Sequence, residues 1–200
     1  MSMTYVAATN NPGKLAEMKR ILGALGIDVI TLKEAGLNIS PEENGRSFRE
    51  NAKIKASAVC EASGMPAIAD DSGLCIDALG GSPGIYSARY GGEDLDDAAR
   101  AELVIGLMKD VPPERRSARF VSAVCVAFPD GTFVESEGIC EGRVLSRPEG
   151  SGGFGYDPIF EDLNGNRFGL VPAEVKDSVS HRRAALNALA EKLGRNETEC

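Results

Sequence analysis

A mixed-sheet α/β fold is predicted for this chain of 200 residues. In the first half, apolar runs of strand length alternate with segments of helical period; in the second half, they pair across turn signals as hairpins. No internal repeat is present, and no stretch is long enough to act as a linker between independent domains. The expectation is therefore one domain over residues 1–200, able to carry two lobes, with a polar tail at 195–200 outside its ordered part. With 42% hydrophobic and 26% charged residues, such a chain builds a core without disulfides.

Thr4 to Ala8 reads as the first strand. Asn11 and Pro12 follow as N-cap and first helical residue, because proline lacks the amide that would be orphaned there. Leu15, Met18, Leu22 and Leu25 carry the helical spacing to Gly26, and Asp28 to Leu32 reads as a second strand. Ser47-Phe48-Arg49-Glu50 fits the capping pattern S-x-x-E and opens a helix through Ser63, closed by Gly64. Pro66 to Ala69 is the next strand. Asp94 to Lys109 is a helix with Leu95, Ala98, Ala99, Leu103 and Leu107 available for packing. Ala118 to Phe128 and Thr132 to Val144 are strands joined by the hairpin signal Asp130-Gly131. The glycine-rich run from Pro148 to Tyr156 follows, and Val179 to Leu193 is the last helix.

A formal charge of −8 argues against broad nucleic-acid binding, which needs a cationic surface, but leaves room for an anionic small molecule in a local positive pocket. The five cysteines (Cys60, Cys75, Cys125, Cys140 and Cys200) show neither CxxC pairing nor zinc-type spacing. Buried thiols in a reducing, cytoplasmic compartment are expected. Residues 1 to 9 carry no basic segment of the signal-peptide kind, and no apolar run approaches the ~20 residues of a membrane span.

Four segments carry candidate chemistry. Asp70-Asp71-Ser72-Gly73 follow the apolar run directly. Carboxylates at the end of a buried strand can hold a divalent cation or take a proton from water; the same four residues also make an ordinary turn. Thr9-Asn10-Asn11-Pro12-Gly13-Lys14 links a strand to a helix start, where free amides and a lysine charge suit a phosphate. It is not a P-loop, since G-x-x-x-x-G-K-[ST] is absent, and a well-capped surface helix is the plain alternative. Gly150 to Pro158 sets Phe154 and Tyr156 beside glycines, so either ring suits stacking on a base or filling the core. Ser180-His181-Arg182, containing the only histidine, places donors near Lys176 that suit a base oxygen and a phosphate.

Taken together and in order, ATNNPGK, PEENGRSFRENAKIKA, AIADDSGLCIDALGGSPGIYSARYGG, GGFGYDPIF and VKDSVSHRRAAL resemble the non-canonical purine nucleoside triphosphate pyrophosphatases, the ITP/XTP pyrophosphatases of the Ham1/RdgB family. The resemblance covers nearly the whole chain. It implies a curved mixed sheet flanked by helices, with two lobes and an active-site groove between them. It also implies Mg²⁺-dependent cleavage of ITP, dITP or XTP between the α and β phosphates, in a cytoplasmic homodimer. Carried onto this sequence, it has Thr9, Asn10, Asn11, Pro12, Gly13 and Lys14 hold the triphosphate with help from Lys55 and Lys176. Glu42 and Asp71 serve the metal, Asp71 activates water, and Ser72 contacts substrate. Phe154, Gly155, Tyr156, Asp157, His181 and Arg182 form the base pocket. The chain departs from the family pattern at Phe168-Gly169-Leu170-Val171, ahead of Lys176. Which of Asp70 and Asp71 is the stronger base stays open.

Overall fold

Six strands and five α-helices follow one another in the computed structural model, which describes residues 4–198, with side chains to 194. The elements are β1 (Thr4–Ala7), α1 (Pro12–Gly23), β2 (Asp28–Ile30), α2 (Phe48–Ser63), β3 (Ala67–Ile76), α3 (Asp97–Leu107), β4 (Ser117–Ala127), β5 (Phe133–Val144), β6 (Phe160–Asp162), α4 (Ala173–Val179) and α5 (His181–Thr198). The strand order is β2-β1-β3-β4-β5-β6. β1 pairs in parallel with β2 and β3, and β5 pairs antiparallel with β6, so the sheet is mixed as predicted. Of the polar tail, residues 199 and 200, including Cys200, lie outside the described residues.

Local chemistry sets most helix starts. Asn11 caps α1 by accepting from the Lys14 amide, with Pro12 as its first residue. Ser47 caps α2 by accepting from the Glu50 amide. The Glu50 carboxylate reaches back one residue further than a simple capping box, to the Arg46 amide at 2.6 Å. Gly64 ends α2 in the left-handed conformation, where a side chain would be strained. Asp96 caps α3, so that helix begins three residues later than expected.

The chain divides into two compact units: Met1–Asp71, Ser122–Gly138 and Arg182–Cys200 form the first, and Ser72–Val121 with Ile139–His181 the second. The first unit has two apolar layers, sorted by strand alternation. Tyr5, Ala7, Ile68, Val124 and Val126 pack with Met18, Ile21 and Leu22 of α1 and Ala185, Leu186 and Leu189 of α5. Val6, Ala67, Ala69, Ala123 and Cys125 pack with Ala52, Ala56 and Val59 of α2. The small side chains on that second face let α2 lie close to the strands.

The second unit packs Leu74 and Ile76 with Ala101, Val104 and Met108 around an aromatic group of Phe120, Tyr156, Phe160 and Phe168. Four residues expected in packing faces are instead exposed: Leu25 at 41%, Ala98, Ala99, and Leu107 at 49%. Leu25 lies beyond the end of α1, and α3 buries the face of Arg100, Ala101 and Val104.

Two further sequence expectations are corrected. Asp70-Asp71-Ser72-Gly73 is neither a turn nor the end of a strand; it lies inside β3, which continues to Ile76. Phe160–Asp162 forms the short strand β6. The last helix, α5, begins at His181 rather than Val179, and a separate short helix, α4, precedes it and ends before extended Ser180 with ψ 155°. Cys60, Cys125 and Cys140 are buried and Cys75 half-buried, all as free thiols. Burial pushes Cys125 and Cys140 up to about 12, which keeps them protonated and inert.

Candidate active site

The two adjacent aspartates of β3 point to opposite faces of the strand, because successive side chains alternate. Asp70 continues the face of Ile68, toward α1 and α5. Asp71 continues the face of Ala67 and Ala69, toward α2. Both are buried, at 0% and 5% exposure, yet their partners differ in kind.

Asp70 is held by cations. Its Oδ2 accepts from Arg182 Nε at 3.1 Å and Nη2 at 2.8 Å. Its Oδ1 accepts no hydrogen bond but lies 3.5 Å from Lys14 Nζ. Arg182 is fully buried and its Nη1 donates to Glu17 of α1, making a Glu17–Arg182–Asp70 chain. Burial alone would raise the Asp70 carboxyl. The charges of Arg182, Lys14 and Lys55 outweigh it and hold the group well below the usual carboxylate range. Asp70 is thus a permanent anion. Lys14 is shifted down, chiefly by burial and further by Lys55 and Arg182, against the pull of Asp70.

Asp71 has a different setting. Its Oδ1 accepts from Lys55 Nζ at 3.0 Å and its Oδ2 from Asn51 Nδ2 at 3.1 Å. Lys55 also donates to Glu43 Oε1 at 2.6 Å. Asn51 and Lys55 stand four residues apart on one face of α2, so a single helix supplies both donors. Burial raises the Asp71 carboxyl, with the charge of Glu43 adding to it. Lys55 and Lys14 pull the other way without reversing the shift. Burial would lower Lys55, but Asp71, Asp70 and Glu43 together raise it, so it remains an ammonium. Two neighbouring carboxyl groups are therefore pushed apart in acidity, the usual preparation for separate roles. Asp71 is the better proton acceptor of the two.

The resemblance places a metal ligand at Glu42. Glu42 is exposed, while Glu43, one residue on, turns toward Lys55 and Asp71. Among the described residues no cluster of three or more His, Cys, Asp or Glu side chains could by itself enclose a metal. The donors present still fit Mg²⁺, which binds through one or two carboxylates and keeps waters or substrate phosphates for its other positions. Here Glu43 and Asp71 already share one cation, the Lys55 ammonium.

The Thr9 to Lys14 segment closes on itself. Thr9 Oγ1 accepts from the Asn11 amide at 3.1 Å, and Asn10 Nδ2 donates to the Ile39 carbonyl at 3.5 Å. Asn10, Asn11 and Pro12 are exposed, Gly13 is half-buried, and the Lys14 side chain, 16% exposed, is aimed at Asp70. The helix cap and the lysine at the helix start are thus both present. Ser72 is half-buried on β3, immediately after Asp71.

In the second unit, Asp157 Oδ2 accepts from the Phe154 amide at 2.8 Å and from Lys176 Nζ. Lys176 Nζ lies 4.6 Å from the centre of the Phe154 ring. Gly155 donates its amide to Asp97 Oδ2 at 2.8 Å. A Cβ on Gly153 would meet Asp157 Oδ2 at 2.0 Å, and its φ of 72° is left-handed, so glycine is required there. The loop is thus tied at both Phe154 and Gly155, and the Phe154 ring is half-buried.

Three of the base-pocket candidates, Tyr156, His181 and Arg182, are buried. Tyr156 is a core residue, 4% exposed, donating its hydroxyl to the Ser87 carbonyl at 2.9 Å. His181 is buried and its ring stacks on Phe120 at 4.8 Å. Arg182 is engaged with carboxylates rather than set out for a base. Lys176, expected to help with phosphates, keeps company with Phe154 and Asp157. Sequence reading missed Glu17 and Asn51 as partners; a polar residue on the apolar face of a predicted helix was the available signal for both.

The sequence profile of the Ham1 family matches residues 5–192. A dITP/XTP pyrophosphatase of Rhodopseudomonas palustris is 47% identical over 199 residues, covering 93% of each chain. One from Thermus thermophilus is 47% identical over 190 residues, covering 94% of this chain and 91% of its own. A solved HAM1 protein from Coxiella burnetii superposes with a TM-score of 0.85 at 36% identity, covering 96% of this chain and 99% of that one.

Proposed function

The chain belongs to the Ham1 family, and from that premise we propose that it hydrolyses non-canonical purine nucleoside triphosphates to the monophosphate and pyrophosphate. ITP, dITP and XTP are the substrates. The observation that carries this reading is the arrangement on one strand of Asp71, held by Lys55 and Asn51, and Asp70, held by Arg182 beside Lys14. Asp71, with its raised proton affinity, takes a proton from water as the water oxygen bonds to the α-phosphorus. The bond from that phosphorus to the bridging oxygen breaks, and pyrophosphate leaves with the electron pair. Phosphoryl transfer needs charge neutralisation more than covalent chemistry. Lys14 and Lys55 supply cationic charge, and Thr9 to Gly13 supply polar groups along the phosphates. Bound Mg²⁺, held by Asp71 and Glu43, would add charge neutralisation and an ordered water.

The base is read by the loop Phe154 to Asp157 with Lys176. Phe154 offers a stacking face, and the Lys176 ammonium donates only, which suits the 6-keto oxygen of hypoxanthine or xanthine over the amino group of adenine. Arg182 serves this reading indirectly, by fixing Asp70 beside Lys14. Homodimer assembly is part of the same proposal, and a solution mass by light scattering checks it.

The deciding experiment is a product assay with ITP, XTP and ATP in the presence and absence of Mg²⁺. Pyrophosphate release that requires Mg²⁺ and favours ITP and XTP is expected. Orthophosphate as the first product would replace this reading with a general nucleotide phosphatase.

A further inference from the structure

Asn51 is buried at 0% exposure, and both ends of its amide are engaged. Its Oδ1 accepts from the Gly45 amide at 2.8 Å, which leaves Nδ2 to donate to Asp71 Oδ2 at 3.1 Å. The Gly45 amide can only donate, so it fixes which end of the Asn51 side chain faces Asp71. Gly45 itself must be glycine for this approach: a Cβ there would stand 2.7 Å from Asn51 Oδ1 and 2.8 Å from Glu50 Cβ. The next amide, Arg46, is tied to Glu50 on the same helix turn. The segment that carries Glu43 is therefore stitched to α2 at the residue that holds Asp71.

We propose that Asn51 is a positioning residue for hydrolysis, orienting the Asp71 carboxylate for water activation while anchoring the Glu43 segment through Gly45. This rests on the assignment of Asp71 as the base. Lys55 engages Oδ1 and Asn51 engages Oδ2, so the carboxylate plane is fixed from two sides by donors four residues apart. Rotation of Asp71 without Asn51 would cost catalysis more than nucleotide affinity, because the loss falls on the geometry of the reacting atoms.

The test uses the full chain with Asn51→Asp and Asn51→Ala. Asn51→Asp keeps the shape and the acceptor for Gly45 but loses the donor to Asp71. Both variants should lose roughly 10- to 100-fold in kcat for ITP, with KM within about twofold of the parent. A second readout needs no turnover: thermal midpoints of Asn51→Asp, Asp71→Asn and the double variant, measured without metal or nucleotide. The double variant exchanges amide and carboxylate, so it should melt above Asn51→Asp, yet stay inactive because its carboxylate stands on the wrong element. A kcat within about twofold of the parent in both single variants, or a loss confined to KM, overturns the proposal. Additive melting shifts also overturn it, because they deny the contact. Turnover surviving in Asp71→Asn removes the base assignment itself and the positioning role with it; that result is read separately from the melting cycle.

Discussion

At the side chains of Asp70 and Asp71, one residue of strand alternation decides the chemistry. Asp70 faces Lys14 and Arg182 and is a fixed anion; Asp71 faces Asn51 and Lys55 and is the proposed proton acceptor. Asp71→Asn should abolish turnover with the fold retained, because the amide matches the shape but neither accepts the proton nor holds a cation well. Its raised proton affinity means that ionised Asp71 costs stability at neutral pH, so the variant should melt no lower than a few degrees below the parent. Near-parental kcat at saturating Mg²⁺ would remove Asp71 from the mechanism. Arg182→Ala tests the opposite kind of group. It leaves Asp70 and Glu17 as buried carboxylates without their guanidinium, a change that costs about 3–5 kcal/mol in comparable buried pairs. Urea unfolding should show that loss. A soluble variant of parental stability with altered base preference would return Arg182 to the base pocket.

Among the elements, legibility in the sequence followed the range of the forces. The starts of α1 and α2 were readable, because Asn11 and Ser47 bond to amides three residues away. The passage of β3 through Asp70-Asp71-Ser72-Gly73 was not. Those residues favour turns locally, and it is the packing of the neighbouring elements that makes them strand. The short β6 and the break at Ser180 likewise lack a local signal of their own. The site shows the same limit. Its aspartates and lysines were visible as types, but their partners were not, since Arg182 meets Asp70 across 112 residues and Glu17 across 165. Two glycines test the packing of these elements. A Cβ on Gly73 would stand 2.3 Å from Ser87 Oγ and 2.4 Å from the Gly84 carbonyl oxygen. Gly73→Ala should therefore destabilise by about 1–3 kcal/mol, because backbone must move. Gly106, in α3, has nothing within 4 Å of an added Cβ. Gly106→Ala should stabilise by about 0.5–1 kcal/mol through helix propensity. Equal melting temperatures for the two variants would contradict the packing around β3.

For the molecule as a whole, the two compact units carry different parts of the proposed reaction. The first holds Lys14, Lys55, Asp70 and Asp71; the second holds Phe154, Asp157 and Lys176. Phosphates are common to all purine triphosphates, whereas the 6-position differs among them. Substitutions in the first unit should therefore be blind to the base, and substitutions in the second should not. Lys14→Ala removes a largely buried ammonium that can meet a phosphate, a contact worth about 1.5–3 kcal/mol. It should lower kcat/KM for ITP, XTP, GTP and ATP by one common factor on the order of 10–100. Phe154→Ala removes the half-buried ring that covers the Lys176 ammonium, so it disturbs both the stacking face and the donor beside it. It should lower kcat/KM for ITP and XTP more than for ATP, shrinking the preference ratio by about 10-fold if one stacked and charged contact carries the selection. The four substrates are measured side by side in the parent and both variants. A uniform fall in Phe154→Ala would place base selection outside this loop, and a base-dependent fall in Lys14→Ala would take that residue off the phosphates.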